Sequence, residues 1–403
     1  MQLITPPRPH RRHAMADRRS RRIRSNRRRI NRAVAGYTAG VFLAAAAMSL
    51  RSFTQTALLT AWYPRTARQR LLALPLLPVS ALTGAAAAYR RATARPATPG
   101  SSRPVTLVVG NITVGGTGKT PLAARLAMTL AAQPNLRVGL VARGYGAEGD
   151  HANAAAKLVA AADAAGDIGD EALMLRRITD LPVAVCRARR RAVELLATHC
   201  RCNVVVADDG LQHYDMPRDL EIAVIDGERG FGNGWLLPAG PLREPVRRLR
   251  SVDYVVVNGD ARRYARWRPI PMRVFAATLT ALRDGRTQAL DAWSGLTVHA
   301  VAGLGHPQRF FSELRAHGLH VIEHPFADHH RFRPGDLRLT PDHPILMTAK
   351  DAVKCHSFAP ANAWTVNAQV ELPPTFLHDL IRRVRRRVAS PRPSIECPPP
   401  PTL

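Results

Sequence analysis

Lysine is nearly missing from this chain. Of its 58 Lys and Arg residues only four are lysine, Lys119, Lys157, Lys350 and Lys354, so each marks a place where arginine was not used. Cysteine is scarce as well. The five present, Cys186, Cys200, Cys202, Cys355 and Cys397, form no CxxC pair and leave an odd one over, which argues against a disulfide framework and fits a reducing, cytoplasmic setting. His199-Cys200-Arg201-Cys202 is at most half of a metal site, because no second ligand pair stands at zinc spacing. Acids are few: 30 Asp and Glu leave a formal charge of +28 over 403 residues. Hydrophobic residues are not short, at 46%, which excludes a wholly disordered basic protein and leaves room for two or three domains. A charge this positive attracts polyanions: nucleic acid, an anionic membrane face or a phosphorylated substrate.

The charge is uneven. Residues 1–32 hold twelve arginines and one acid, Asp17, about two fifths of the net charge. Three readings of this leader stand side by side: an upstream start with Met15 or Met48 as the initiator, a disordered basic arm, and an organellar transit peptide. The first two are favoured over targeting. Two uncharged runs follow, residues 33–50 and 71–89, each near the roughly 20 residues that span a bilayer. The first is alanine-rich, and the second carries Pro75 and Pro78, which interrupt helical hydrogen bonding. Two spans would export the loop holding Arg51, Arg65, Arg68 and Arg70, and one span would export everything downstream, against the preference of basic flanks for the cytoplasm. The expectation is that residues 71–89 lie on or dip into the membrane, with Arg65, Arg68, Arg70, Arg90 and Arg91 at anionic head groups. The plain alternative is a buried core helix.

Residues 93–103 form a Pro/Ser/Gly linker, after which strand, loop and helix alternate. Short apolar strands are predicted at 105–109, 137–142, 182–186, 204–207 and 222–225, with a helix at 121–132, and alternation of this kind implies a parallel sheet with helices on its faces. A second series runs through 254–257, 273–277, 298–302, 320–322, 345–348 and 364–366, then a basic helix at 377–388 and a Pro-rich stub. The expected fold is α/β: a P-loop NTPase-type three-layer domain at 104–250 and a smaller Rossmann-like domain at 251–388. A membrane-associated helix and linker at 56–103 precede them; residues 1–55 are an extension and 389–403 a tail.

The strongest local motif is Gly115-Gly116-Thr117-Gly118-Lys119-Thr120 between a strand and a helix. Glycines let backbone N–H groups turn around phosphate oxygens, Lys119 reaches the terminal phosphates, and Thr120 offers a hydroxyl to Mg²⁺. The strict spacing asks for glycine at 113, where Thr113 stands. A compact ammonium kept in an arginine-rich chain suits a phosphate cradle. Downstream, a strand runs into Asp208-Asp209-Gly210-Leu211-Gln212-His213, placing carboxylates where a P-loop fold holds Mg²⁺ or its water; a turn with Asp caps is the plainer reading. Gly169-Asp170-Glu171 precedes a helix at 172–178, so either acid is a cap or a proton acceptor in phosphoryl transfer to an alcohol. Spacing alone leaves that open. Arg143-Gly144-Tyr145-Gly146 ends a strand at the same sheet edge, and Phe326-Ala327-Asp328-His329-His330 offers another acid or base.

Taken in order, these motifs resemble the lipid A disaccharide 4'-kinase (tetraacyldisaccharide 4'-kinase) family of bacterial inner-membrane enzymes. The resemblance covers roughly residues 62–372 and includes VVGNITVGGTGKTP (108–121), ARGYG (142–146), GDE (169–171), DDGLQH (208–213), LLPAGPLRE (236–244), GLGHPQRFF (303–311), FADHH (326–330) and TAKDAVK (348–354). Thr113 then becomes expected, since the family's loop has this variant form. Leu304 stands where the family commonly has Ile, and Ala349 where it often has Glu. The resemblance implies transfer of the ATP γ-phosphate to the 4'-hydroxyl of an acylated glucosamine disaccharide 1-phosphate, with Mg²⁺. It implies Asp170 and His329 as a joint catalytic base, and Thr120, Glu171, Asp208 and Asp209 around the cation. Asn111, Arg143, Gln212, His213 and Arg243 are the candidates for holding substrate. It further implies two α/β domains behind a membrane-associated helix on the cytoplasmic face of the inner membrane. A monomer is expected, with anionic membrane as a partner and no nucleic acid.

Two other classes compete. A P-loop GTPase or metallochaperone-like switch usually carries N-K-x-D, but Val257-Asn258-Gly259-Asp260 and Thr348-Ala349-Lys350-Asp351 lack that spacing. A nucleic-acid binder would rest on the leader.

Overall fold

The computed structural model describes residues 58–94, 103–144, 155–305, 307–328 and 330–389. The leader, the run at 33–50, Tyr145, Gly146, His329 and the Pro-rich stub lie outside them. The chain forms two compact units, Met1–Ala73 and Leu74–Leu403.

In the first unit a short helix α1 (Ala67–Leu71) starts at a capping box: the Thr66 hydroxyl accepts from the Gln69 N–H, and the Gln69 side chain accepts from the Thr66 N–H, satisfying two otherwise unpaired donors. The second unit begins with a 3₁₀ turn at Leu74–Leu76 and helix α2 (Leu77–Thr93). Pro78 falls in the first turn of α2, where a missing N–H costs nothing, so the prolines shape the start of the helix rather than break it. Ser80 is the buried residue of α2: its hydroxyl donates to Leu76 O and Leu236 O and accepts from Ala239 N. Leu82 and Tyr89 remain 71% and 69% exposed. By length and composition alone, Ala67–Thr93 is apolar enough to cross a membrane: its most apolar 18-residue stretch has a mean hydropathy of 1.8.

The rest is α/β, built on a mostly parallel mixed sheet. Its strands are β1 (Val105–Gly110), β2 (Val138–Ala142), β3 (Lys157–Leu158), β4 (Val183–Val185), β5 (Val204–Ala207), β6 (Leu220–Asp226), β7 (Tyr254–Asn258), β8 (Ile270–Ala281), β9 (Thr287–Ala289), β10 (Thr297–Ala302), β11 (His320–Pro325), β12 (Ile345–Thr348) and β13 (Ala363–Glu371). They line up as β11-β10-β12-β13-β8-β7-β6-β1-β5-β2-β4-β3, with β9 on β8. Pairing is parallel except for β3 with β4 and for β8 with β9 and β13. The sheet therefore continues past residue 250: β7 pairs with β6, and the long β8 pairs parallel with β7 at Ile270 to Met272 and antiparallel with β13 from Arg273 to Ala281.

Helices α3 (Lys119–Ala131), α4 (Ala165–Ile168), α5 (Asp170–Thr179), α6 (Arg189–His199), α7 (Pro307–Ala316), α8 (Ala349–Cys355) and α9 (Pro374–Ala389) cover the sheet. Every residue of β1 is buried, as a strand covered on both faces requires. Leu107 and Val109 join Leu122, Leu126 and Leu130 of α3, Leu173 of α5, and Phe376, Leu380 and Val384 of α9 in one core. Val108 belongs to a second, with Val193 and Leu196 of α6, Leu211 and Leu249. Burying each of these large side chains contributes about 1.5–3 kcal/mol. Two further cores, around Phe311 and Trp364 and around Met347 and Cys355, serve the later strands. The C-terminal helix thus packs on the core that carries β1.

Candidate functional site

The loop between β1 and α3 sits at the carboxyl end of the central strand. Gly115 and Gly118 adopt φ of 108° and 90°, a region other residues avoid. Gly118 is also crowded: a Cβ there would lie 3.0 Å from Asn258 Nδ2. Thr113 explains itself in the same geometry. It forms an antiparallel bridge with Leu242, flanked by Val114 N–H to Pro241 O at 2.9 Å and Arg243 N–H to Ile112 O at 2.7 Å. The loop enters as a short strand at the position where the strict motif has glycine.

Lys119 and Thr120 open α3 and face β5. The Thr120 hydroxyl donates to Asp208 Oδ2 at 2.6 Å, and Lys119 Nζ lies 3.8 Å from Asp209 Oδ1. Asp208 is buried, and its Oδ1 has no partner among the described residues. Burial pushes its carboxyl up to about 6, against the Thr120 hydrogen bond and the Lys119 charge. Asp209 behaves oppositely. Burial raises it, but Lys119 and Arg243 together hold it below the usual carboxylate range, and Arg243 Nη1 donates to both of its oxygens at 3.0 and 3.1 Å.

Gln212 ties this end of β5 to the loop. Its amide nitrogen donates to Asn111 O at 3.0 Å and to Glu244 Oε1 at 2.7 Å, while Tyr214 donates to the other Glu244 oxygen. Asn111 is fully buried, its Nδ2 3.5 Å from Thr117 Oγ1 and its Oδ1 unpartnered. His213 is held down to about 4 by burial, then by Arg189 and Arg143, so it is neutral at physiological pH. Arg143 follows β2 and is exposed.

Asp170 is not in a loop before the helix, as the spacing suggested. It is the first residue of α5, and its Oδ1 accepts from the Glu171 N–H at 2.9 Å, an N-terminal placement that suits an acid. Lys350 Nζ lies 3.9 Å from Asp170 Oδ2 and 3.2 Å from Asp328 Oδ1. One lysine therefore draws GDE and FADHH together. Asp351, fully buried, accepts from Gly303 N–H at 2.9 Å and from the Thr348 hydroxyl at 2.7 Å, with Lys354 Nζ at 2.8 Å, joining GLGHPQRFF to TAKDAVK. Glu171 acts on Asp208 through its charge. His329 lies outside the described residues, next to Asp328. Among the described residues no three His, Cys, Asp or Glu side chains form a group able to hold a metal by themselves.

Sequence reasoning missed Arg189. It opens α6 with no exposure, its Nη2 3.5 Å from Asp208 O and its Nε and Nη1 unpartnered; burial lowers it to about 10. One arginine among 54 carries no signal in the sequence. A cleft of 370 Å³ was missed too. It lies beyond the carboxyl ends of β6 and β7, lined by Arg229, Phe231, Arg263, Tyr264, Arg266 and Trp267, with Arg229 Nη1 3.5 Å from where a Cβ on Gly115 would stand.

Residues 72–385 match the family model described as tetraacyldisaccharide-1-P 4'-kinase. Two curated proteins named tetraacyldisaccharide 4'-kinase are close relatives. That of Azoarcus sp. (strain BH72) is 48% identical over 307 residues, 74% of this chain and 88% of the relative. That of Alkalilimnicola ehrlichii is 52% identical over 262 residues, 64% and 76% respectively. A crystal structure of LpxK from Aquifex aeolicus, in complex with ATP, has the same fold: TM-score 0.65 at 24% identity, over 79% of this chain and all of that one.

Proposed function

The chain belongs to the tetraacyldisaccharide-1-P 4'-kinase family, and on that premise we propose how its own residues carry out the reaction. It is a phosphotransferase of lipid A synthesis that moves the γ-phosphate of ATP to the 4'-hydroxyl of the tetraacyldisaccharide 1-phosphate. The family match removes the switch-protein alternative. In architecture we read the region around β1 as a P-loop NTPase-type three-layer domain and the region around β10 to β13 as a smaller Rossmann-like one.

The observation that carries the residue assignment is the constellation of Lys119, Thr120, Asp208 and Asp209 at the end of β1 and β5. The loop of residues 115–120 cradles the β- and γ-phosphates, with Lys119 supplying positive charge. The Thr120 hydroxyl and the unpartnered Asp208 Oδ1 fit a Mg²⁺ that takes one or two protein ligands and completes its shell with phosphate and water; Glu171, whose charge acts on Asp208, is the further carboxylate assigned to the cation. When bound, Mg²⁺ neutralises charge on the transferring phosphoryl group. Asp209, clamped by Arg243, positions Lys119. Asp170 and His329 accept the proton of the 4'-hydroxyl, with Lys350 fixing Asp170 against the Asp328 segment. Asn111, Arg143, Gln212, His213 and Arg243 face the acceptor or hold the loop that does. The base and ribose of ATP lie over the cleft after β6 and β7, since open parallel sheets bind nucleotides outside their carboxyl ends. The exposed apolar face of α2 brings the enzyme to the cytoplasmic face of the inner membrane, where its acceptor is held.

The test is an assay with labelled ATP and the disaccharide 1-phosphate in detergent micelles. Lys119→Ala and Asp170→Asn should each lower kcat about 100- to 1,000-fold with the fold intact by circular dichroism. Turnover near wild type for Asp170→Asn would remove it as base. Tight GTP binding without lipid-dependent ATP turnover would overturn the kinase assignment.

A further inference from the structure

Helix α9 carries Arg382, Arg383, Arg385, Arg386 and Arg387 within six residues, and the phosphoryl-transfer site uses none of them. Its apolar stripe, Phe376, Leu380 and Val384, is locked into the main core, so the helix is anchored, and Arg382, Arg385 and Arg386 are turned out and exposed. The sole acid of the helix, Asp379, pairs with Arg382 at 2.7 Å and Arg383 at 3.0 Å, which leaves the face strongly positive.

Helices α9 and α2 each send an arginine to the segment that leads into β7. Arg91, in the last turn of α2, donates to Ser251 Oγ at 3.0 Å, and Arg383 lies 3.9 Å from Asp253 Oδ1. Ser251 and Asp253 are two residues apart, a span of at most about 7 Å, so both helices reach onto one short segment. The exposed Arg250 stands at its edge. We propose that the arginine face of α9 is a second membrane contact, a docking surface for anionic phospholipid that acts together with the apolar face of α2. The inference rests on α2 being membrane-associated. A chain that exposes both an apolar and a guanidinium surface matches a bilayer, which takes Leu82 and Tyr89 into its boundary and the arginines among its head groups. A nucleic acid would satisfy the arginines and leave the apolar face without a partner. Two weak anchors together also hold a protein where one alone binds reversibly.

The experiment is vesicle flotation of the full chain, on phosphatidylcholine alone and on phosphatidylcholine with roughly one third phosphatidylglycerol, comparing wild type with the triple variants Arg250→Gln/Arg382→Gln/Arg386→Gln and Arg250→Lys/Arg382→Lys/Arg386→Lys. Each charge removed should lower partitioning onto the anionic vesicles about fivefold, so the Gln triple falls on the order of a hundredfold. Its binding to neutral vesicles and its activity on the micellar acceptor stay at wild-type level, and the Lys triple keeps most of the anionic binding. The proposal is overturned if the Gln triple partitions like wild type, if it loses neutral and anionic binding equally, if the Lys variant falls as far as the Gln variant, or if the three arginines matter for binding a short RNA duplex and not for vesicles. Absence of wild-type binding to either vesicle would instead remove the α2 reading, and this inference with it.

Discussion

Lys350 lies between two carboxylates whose motifs are more than 150 positions apart, Asp170 at 3.9 Å and Asp328 at 3.2 Å. Lys119 faces Asp209 and Lys354 faces Asp351, while Lys157 sits half-exposed on the edge strand β3. The chain thus keeps its rare compact cation at three polar junctions. His213 shows what burial does at this scale. Its folded-state pKa of about 4 lies below the ordinary 6.5, set first by burial and then by Arg189 and Arg143. The unfolded chain therefore binds more protons between those values, so the contribution of His213 to stability is fully present above pH 6.5 and is lost as pH falls toward 4. Urea unfolding at pH 7 and pH 5 should show His213→Asn losing less stability between the two than wild type; equal losses would refute the assignment. Sequence reasoning left Asp170 poised between a cap and a base, and the structure shows why spacing could not choose: the residue occupies the helix N-terminus and meets a lysine from a distant helix. Which side chains meet across such a separation is a matter of topology that no local pattern carries.

At the scale of elements, periodicity found nearly every strand, because parallel strands covered on both faces read as continuous apolar runs. Its boundaries fell short where the runs turn amphipathic. The strands expected at 273–277 and 364–366 extend to Ile270–Ala281 and Ala363–Glu371, with partly or fully exposed positions interspersed along the added length. Pairing partners were illegible: nothing local says that β7 joins β6 or that α9 returns to the core of β1. The segment between Asn233 and Leu242 is equally hidden, yet it hydrogen-bonds to Ser80 of α2 and bridges to Thr113 of the phosphate loop. Gly240 is its tightest point, where a Cβ would stand 2.2 Å from Asn233 Oδ1 and 2.3 Å from Trp235 O. Gly240→Ala should cost about 1–3 kcal/mol in urea unfolding and weaken the Arg243 clamp on Asp209, lowering kcat. An unchanged unfolding midpoint would show that the segment yields without strain.

Across the whole molecule, charge and chemistry separate. The leader at 1–32 holds about two fifths of the net charge, and the family match begins only at residue 72. A chain lacking residues 1–47 should keep its activity on the micellar acceptor. Loss of that activity with the fold preserved would give the leader a catalytic part and revive a polyanion-binding role. Part of the remaining positive charge lies in the last turn of α2, at Arg90 and Arg91, and part lies on α9, where a lipid surface can use it.

Strand β8 has a further consequence, for how the chain is made. Ile270 to Met272 find their partner β7 already synthesised, but Arg273 waits for Glu371 and Ala281 for Trp364. At roughly 5–20 residues per second of translation, most of β8 spends about ten seconds as an open edge on a half-built sheet. During that interval its short antiparallel neighbour β9, with three paired positions, is its partner made in time. A nascent chain arrested before residue 363 would present this edge to other chains, so truncation there should yield aggregates rather than a soluble half-enzyme.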